Sequence, residues 1–247
     1  MKIKSVLKYN ISNMIKSLGA FYAIFIFICV ALTLIMRSSG GNFVSSGLEL
    51  SSAIFIFVVG LNSFKENFYF MKSNNVSRKD FIYGTAASII PIAFIMSFID
   101  VIINRIYNVF VSCPTNYDMI YGNMRDIIYN NVFWKQSNSF ETLINTFLFQ
   151  GVVYAFAFAI GFVITILYYK SNSLTKVIIS VVPVAFIIFS NLIIEIYPSF
   201  FNGAIKFIQF IFGWNTLNPY AGILTFIILY IILVIISRLL TRKAVLK

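Results

Sequence analysis

The residues able to do chemistry are few and scattered. Among 247 residues there are eight carboxylates, nineteen lysines and arginines, two cysteines and no histidine. Without histidine the commonest general base and metal ligand is missing. A zinc site of the usual Cys/His type cannot be assembled from Cys29 and Cys113. Cys29 falls in an apolar run and Cys113 in a polar stretch, so no disulfide is expected between them. No G-x-x-x-x-G-K-[ST] phosphate loop occurs, which removes that route to ATP hydrolysis from this chain. Asp100 is the one carboxylate set well within an apolar context, and an aspartyl dyad would need a second chain. The expectation is a protein that is not an enzyme, with no metal and no cofactor of its own.

What remains is charge and hydrogen bonding in an apolar setting, where polar groups are costly and often functional. Asp100 and Arg105 stand five residues apart, so one helical face does not hold both. Glu49 opens a second apolar run, Glu195 closes a later one, and Lys206 follows where it could partner Glu195. Two readings stand side by side. One is placement at the interface with hydration and snorkelling. The other is an outer gate of Glu49, Asp100, Glu195 and Lys206 that sorts cationic cargo. Asn62 and Asn191 are neutral, and either bond helix to helix or meet cargo.

The elements that must position these residues follow from composition. Apolar residues make up 60% of the chain and charged ones 11%, with mean hydropathy +0.88. Soluble domains have about 25% charged and 45–50% apolar residues. A soluble or disordered chain is excluded on that ground, and an integral membrane protein with several spans is left. About 20 largely apolar residues cross the hydrocarbon core. Six runs qualify: residues 17–36, 48–64, 78–104 with Pro91 inside, 142–169, 177–196 with Pro183 inside, and 220–237. The first is too long and too far from the N-terminus for a signal peptide's apolar region. Residues 199–218 are apolar but broken by Gly203, Lys206, Gly213, Asn215 and Asn218. They read as a short interfacial or re-entrant helix, or a plain loop with aromatic anchors.

With the N-terminus in the cytoplasm, fourteen basic residues fall on the inner side. Five fall on the outer side: Arg37, Arg105, Arg125, Lys135 and Lys206. The positive-inside rule therefore puts both termini inside. The net charge of +11 is mainly topological and does not point to nucleic acid. The outer loop, residues 106–141, carries Tyr107, Tyr117, Tyr121, Tyr129 and Trp134, which suit a membrane–water boundary. In the fourth run Ala155, Ala157, Ala159 and Gly161 form two overlapping small-xxx-small pairs suited to close helix contact.

Two inner segments are amphipathic. Ile3, Val6, Leu7, Ile11, Met14, Ile15 and Leu18 keep to one helical face, with Lys2, Lys4, Lys8 and Lys16 opposite. Residues 1–16 are therefore expected as an interfacial helix. Between the second and third spans, Phe64, Phe68 and Met71 share a face amid Lys65, Glu66, Lys72 and Asn74, which predicts a short helix over residues 64–77. Ser77 and Asp80 then resemble a capping box for the third span, with Arg78 and Lys79 at headgroup level.

This pattern resembles the permease subunits of type-2 ABC exporters, in the small form common in Gram-positive bacteria and similar to exporters of phenol-soluble modulin peptides. The carrying features are the basic amphipathic N-terminal segment, six spans with both ends inside, and Asn74-Asn75-Val76-Ser77-Arg78-Lys79-Asp80-Phe81 opening span three. The likeness covers the whole chain as architecture. Its one local motif, Ser-Arg-Lys, is short.

The resemblance implies a single permease domain over residues 1–247, paired with a second permease, identical or paralogous. Two ATPase subunits would carry ATP and Mg. Residues 1–16 would be the connecting helix and 64–77 the coupling helix, with Lys65, Glu66, Phe68, Met71, Lys72, Asn74, Arg78 and Lys79 meeting the ATPase. Spans two and five would line the path, with Phe55, Phe57, Asn62, Phe186, Phe189 and Asn191 on it, and residues 199–218 would form the outer lid. The implied activity is export of amphipathic or hydrophobic peptides across the bacterial cytoplasmic membrane. The alternatives are a non-transporting scaffold or sensor subunit, and an exporter of lipid or small amphiphilic drugs.

Overall fold

A computed structural model describes residues 2–38, 45–122 and 136–242, without the side chains of Asn191 and Leu192. Arg125, Tyr129, Trp134, Lys135, Lys243 and Lys247 lie outside the described residues. The described chain is helical: α1 (Ile3–Ser38), α2 (Leu48–Asn62), α3 (Lys65–Ser73), α4 (Arg78–Tyr107), α5 (Asn116–Ile120), α6 (Phe140–Lys170), α7 (Ser173–Ile196), α8 (Pro198–Ile211) and α9 (Pro219–Thr241). Five of these are long and apolar enough to cross a membrane. The pair α2–α3, bent by 45°, brings the number to six. The chain is thus an all-helical protein built to cross a membrane several times.

The six expected spans are met by α1, α2, α4, α6, α7 and α9. One expectation changes. The N-terminal segment is no separate helix in the membrane plane, because α1 runs unbroken for 36 residues. At 1.5 Å per residue that is about 54 Å, well beyond the ~30 Å hydrocarbon core. Neither Lys16 nor Gly19 breaks it: lysine is a good helix former, and one glycine costs only about 1 kcal/mol. The seven residues that α1 buries, Val6, Asn10, Met14, Leu18, Tyr22, Phe25 and Cys29, step by three or four along one stripe. That stripe packs on α4, running parallel to it. Asn10 Nδ2 donates to Thr85 Oγ1 at 3.1 Å, and Tyr22 Oη donates to the Met96 carbonyl at 3.0 Å.

At the centre stands α6, which packs on α2, α4 and α9. The α2 contact is close because glycines face each other. A Cβ on Gly161 would lie 2.3 Å from the Phe57 carbonyl oxygen, and one on Gly60 would lie 2.3 Å from that of Phe158. The Thr165 hydroxyl donates to the Leu61 carbonyl across the same seam. Of the expected small-residue pairs, the one ending at Gly161 has its glycine at the α2 contact, whereas Ala159 lines a space with Ala86 of α4 and Tyr230 of α9. On the other side Phe226 of α9 packs edge-on against Phe149, centroids 5.8 Å apart, and Tyr230 donates to the Ala86 carbonyl of α4 at 2.7 Å. Helix α7 touches α6 and α8 thinly, and none of its described side chains is buried. Residues 198–211 are a helix of about 21 Å, too short to span, followed by a tight turn with Gly213 at φ 65°.

The glycine seam yields a test. Gly161→Leu must push α2 and α6 apart and is expected to lower stability by about 1–3 kcal/mol or more. Gly203→Ala, where an added Cβ meets nothing within 4 Å, should leave it unchanged or raise it. Thermal unfolding of both variants in one detergent checks this.

Candidate functional site at the two ends of the bundle

One end of the bundle, the expected inner end, is organised by α3. Its apolar face is seated on the bundle: Phe64 stacks on Phe68 with centroids 5.0 Å apart, and Phe64 meets Tyr169 edge-on at 5.3 Å. Phe68 leans on Phe81 at 5.6 Å, and Met71 is buried beside them. Two asparagines end the helix. Asn74 Nδ2 donates to the Phe70 carbonyl at 2.8 Å. Asn75 takes the left-handed conformation, φ 55°, that asparagine tolerates, which turns the Val76 N–H back onto the Met71 carbonyl at 3.0 Å. Ser77 then caps α4, accepting from the Asp80 N–H at 3.0 Å. The capping box is only half formed, because the Asp80 carboxylate accepts instead from the Lys2 N–H at 3.1 Å.

The start of α1 lies beside α3. Lys2 Nζ donates to the Asn74 carbonyl at 2.8 Å, and Tyr9 stacks on Phe70 at 4.8 Å. Of the residues expected to meet an ATPase, Lys65, Glu66, Asn74 and Lys79 form an exposed rim, with Lys72 and Arg78 half-buried. Phe68 and Met71 are a correction. They are 2% and 4% exposed and hold α3 to its own bundle. Arg78 is also engaged, donating to the Arg242 carbonyl at 2.8 Å.

The opposite end, the expected outer one, holds a buried polar cluster about 10 Å beneath the C-terminal end of α4. Asp100 Oδ1 accepts from Tyr22 of α1 at 2.9 Å, and Oδ2 accepts from Tyr154 of α6 at 2.5 Å. Ser52 of α2 stands beside Asp100 and Tyr22 with no bond of ordinary geometry. Glu49 is 1% exposed, and neither carboxylate oxygen has a hydrogen-bond partner among the described residues. Its charged neighbours are Asp100, Asp118 and Arg105. Arg105 Nη1 donates to Asn104 Oδ1 at 3.1 Å, while its Nε and Nη2 are unpaired. One carboxylate is thus held by two hydroxyls and a second is left uncommitted.

A lid covers this cluster. Thr115 and Asp118 form a capping box at the start of α5, and Gln136 Nε2 donates to Asp118 Oδ2 at 3.0 Å. Asn104 Nδ2 holds the Cys113 carbonyl at 3.0 Å. Tyr117 and Tyr121 are buried against Phe149, and Tyr121 Oη donates to the Phe212 carbonyl at 2.8 Å. Cys29 and Cys113 are both free, as expected. Burial, with the Glu49 charge adding, pushes the Cys113 thiol up to about 12, so it is not a reactive thiolate at neutral pH.

The expected outer gate is therefore split. Glu49 and Asp100 meet in the interior, whereas Glu195 and Lys206 are exposed on α7 and α8, with no ion pair between them among the described residues. The path residues are dispersed as well. Phe55 stacks on Phe21 of α1 at 4.3 Å. Phe57 faces an apolar groove of about 590 Å³ between α2, α6 and α7. Asn62 donates to its own helix at Val58, and Phe186 and Phe189 are exposed. Asn191 lies outside the described side chains. Sequence reasoning missed Tyr22 and Tyr154. Each is the lone tyrosine deep in a long uncharged run, and a buried tyrosine hydroxyl seeks a partner. Compared with protein-family models, curated proteins and solved structures, the chain matches none of them.

Two tests follow. Asp100→Leu removes the acceptor shared by two buried hydroxyls, leaves Tyr22 the Met96 carbonyl and Tyr154 only the Glu49 carbonyl at 3.5 Å, and should cost about 1–3 kcal/mol. Glu49→Gln keeps the side chain's shape and removes a carboxylate that has no hydrogen-bond partner among the described residues, so it should cost less than Asp100→Leu. Thermal unfolding of both variants compares them. Cys113, 0% exposed, should resist a membrane-impermeant maleimide until the lid lifts, and prompt labelling of the native protein would show that the lid does not seal.

Proposed function

We propose that the chain is the membrane permease subunit of an ATP-driven ABC exporter of the type-2 family, resident in the bacterial cytoplasmic membrane. The observation that carries the reading is α3. It is a nine-residue helix between two spans, anchored inward by Phe64, Phe68 and Met71, and together with its C-cap and the start of α4 it exposes Lys65, Glu66, Asn74 and Lys79 on the expected cytoplasmic side. A short helix anchored on one face and charged on the other suits docking of a separate ATPase subunit. Two such subunits supply ATP and Mg chemistry, which this chain has no motif to perform. The start of α1 braces that helix through Lys2 and Tyr9, so a push on α3 reaches both α1 and α4.

The bare α7 faces a second permease, identical or paralogous, and the exposed Phe186 and Phe189 border the path between the two halves. The cargo is an amphipathic or hydrophobic peptide, moved outward. At the outer end Glu49 is the group free to meet a cationic cargo group once the lid of residues 113–121 moves. ATP binding would favour one access state only through contacts that differ between the states, and the rim of α3 is where they differ.

Charge reversal tests the reading. Glu66→Lys should lower ATP-driven peptide efflux from vesicles about tenfold with no change in thermal stability. Phe68→Ala should instead cost stability, about 3–5 kcal/mol, with or without ATPase present. Normal efflux by well-folded Glu66→Lys removes the docking role of α3.

A further inference from the structure

A groove separate from both ends runs along the outer half of α1 where it meets α4. Its volume is about 420 Å³. Ile26, Val30 and Leu34 form one wall, and Ile103, Ile106 and Phe110 the other. The polar groups of its lining turn away from it: Thr33 Oγ1 donates to the Cys29 carbonyl at 2.8 Å, and Tyr107 Oη points to Met36 Sδ at 3.8 Å. One charge marks the groove. The Arg37 guanidinium sits at its outer end, 4.8 Å above the Phe110 ring, and among the described residues no carboxylate pairs with it.

We propose that this groove is a binding site for an anionic phospholipid of the outer leaflet, its phosphate on Arg37 and one acyl chain laid between α1 and α4. Length and charge each support that occupant. From Ile26 to Arg37 the groove runs eleven residues, about 16 Å. That is close to half of the ~30 Å hydrocarbon core, the depth of one leaflet. Two apolar walls that converge on one cation suit an extended acyl chain with an anionic head. Arginine binds phosphate through two parallel N–H donors, and the stack on Phe110 holds the guanidinium plane in place. The site does not depend on the exporter reading and stands or falls separately from it.

The full-length chain, purified in mild detergent and washed free of lipid, is offered phosphatidylglycerol or phosphatidylcholine, and retained lipid is counted by native mass spectrometry. About fivefold greater retention of phosphatidylglycerol is expected, the effect of one basic residue on one anionic headgroup. Arg37→Gln should bring the two lipids level, and Val30→Trp, which fills the groove, should reduce retention of both. Thermal unfolding confirms that each variant is folded, and Leu34→Trp replaces Val30→Trp if the latter is not. Equal retention of the two lipids by the native chain overturns the proposal. So does an unchanged preference in Arg37→Gln, or displacement of bound lipid by an amphipathic peptide at equal concentration.

Discussion

The arrangement depends on one buried carboxylate. Asp100 of α4 accepts hydrogen bonds from Tyr22 of α1 and Tyr154 of α6, so one side chain joins three helices in the interior of the bundle. Helix association in lipid lacks the hydrophobic drive available in water, because acyl chains are as apolar as leucine. Close packing and polar bonds must then decide which helices meet and in what register. The chain uses both. The glycine seam brings α2 against α6 to backbone contact, and the tyrosine clamp sets the height of α1 and α6 against α4. A carboxylate so deep is tolerated because each oxygen is bonded, and removing its partners would cost more than the bonds contribute.

From this follows a division between the ends. The outer end is closed by polar side chains that face one another beneath a folded lid. The inner end is closed by aromatic rings, with charge turned outward on α3. Helices α4 and α6 run through both. Helix α3 thus rests on the same two helices that carry Asp100 and Tyr154. Helix α7 stands apart from this body and keeps its apolar surface bare, which suits a contact with lipid or with a second subunit.

Much of this was legible in the sequence. Hydropathy placed the spans, because a lipid-crossing helix needs little beyond length and apolarity. The spacing of Phe64, Phe68 and Met71 announced α3, and Ser77 announced the start of α4. The same spacing did not say which body covers the face, and Phe68 and Met71 turned out to face their own bundle. The continuity of α1 was hidden because Lys16 reads as a boundary, although a charge at a snorkelling position does not end a helix. Glu49, Asp100, Glu195 and Lys206 look alike as polar residues at the edges of apolar runs. Only tertiary packing separates the two that meet inside from the two that face out. The tyrosines of the clamp were the least visible, since in a chain with 14 tyrosines and 28 phenylalanines one hydroxyl carries little signal.

The measurement that bears most directly on the account is co-purification of the tagged full-length chain in mild detergent, with the subunit ratio and the ATPase activity of whatever elutes with it. The account predicts two permease chains with two ATPase subunits in a complex that hydrolyses ATP. A folded chain that elutes alone from several detergents, with no ATPase bound, would contradict it.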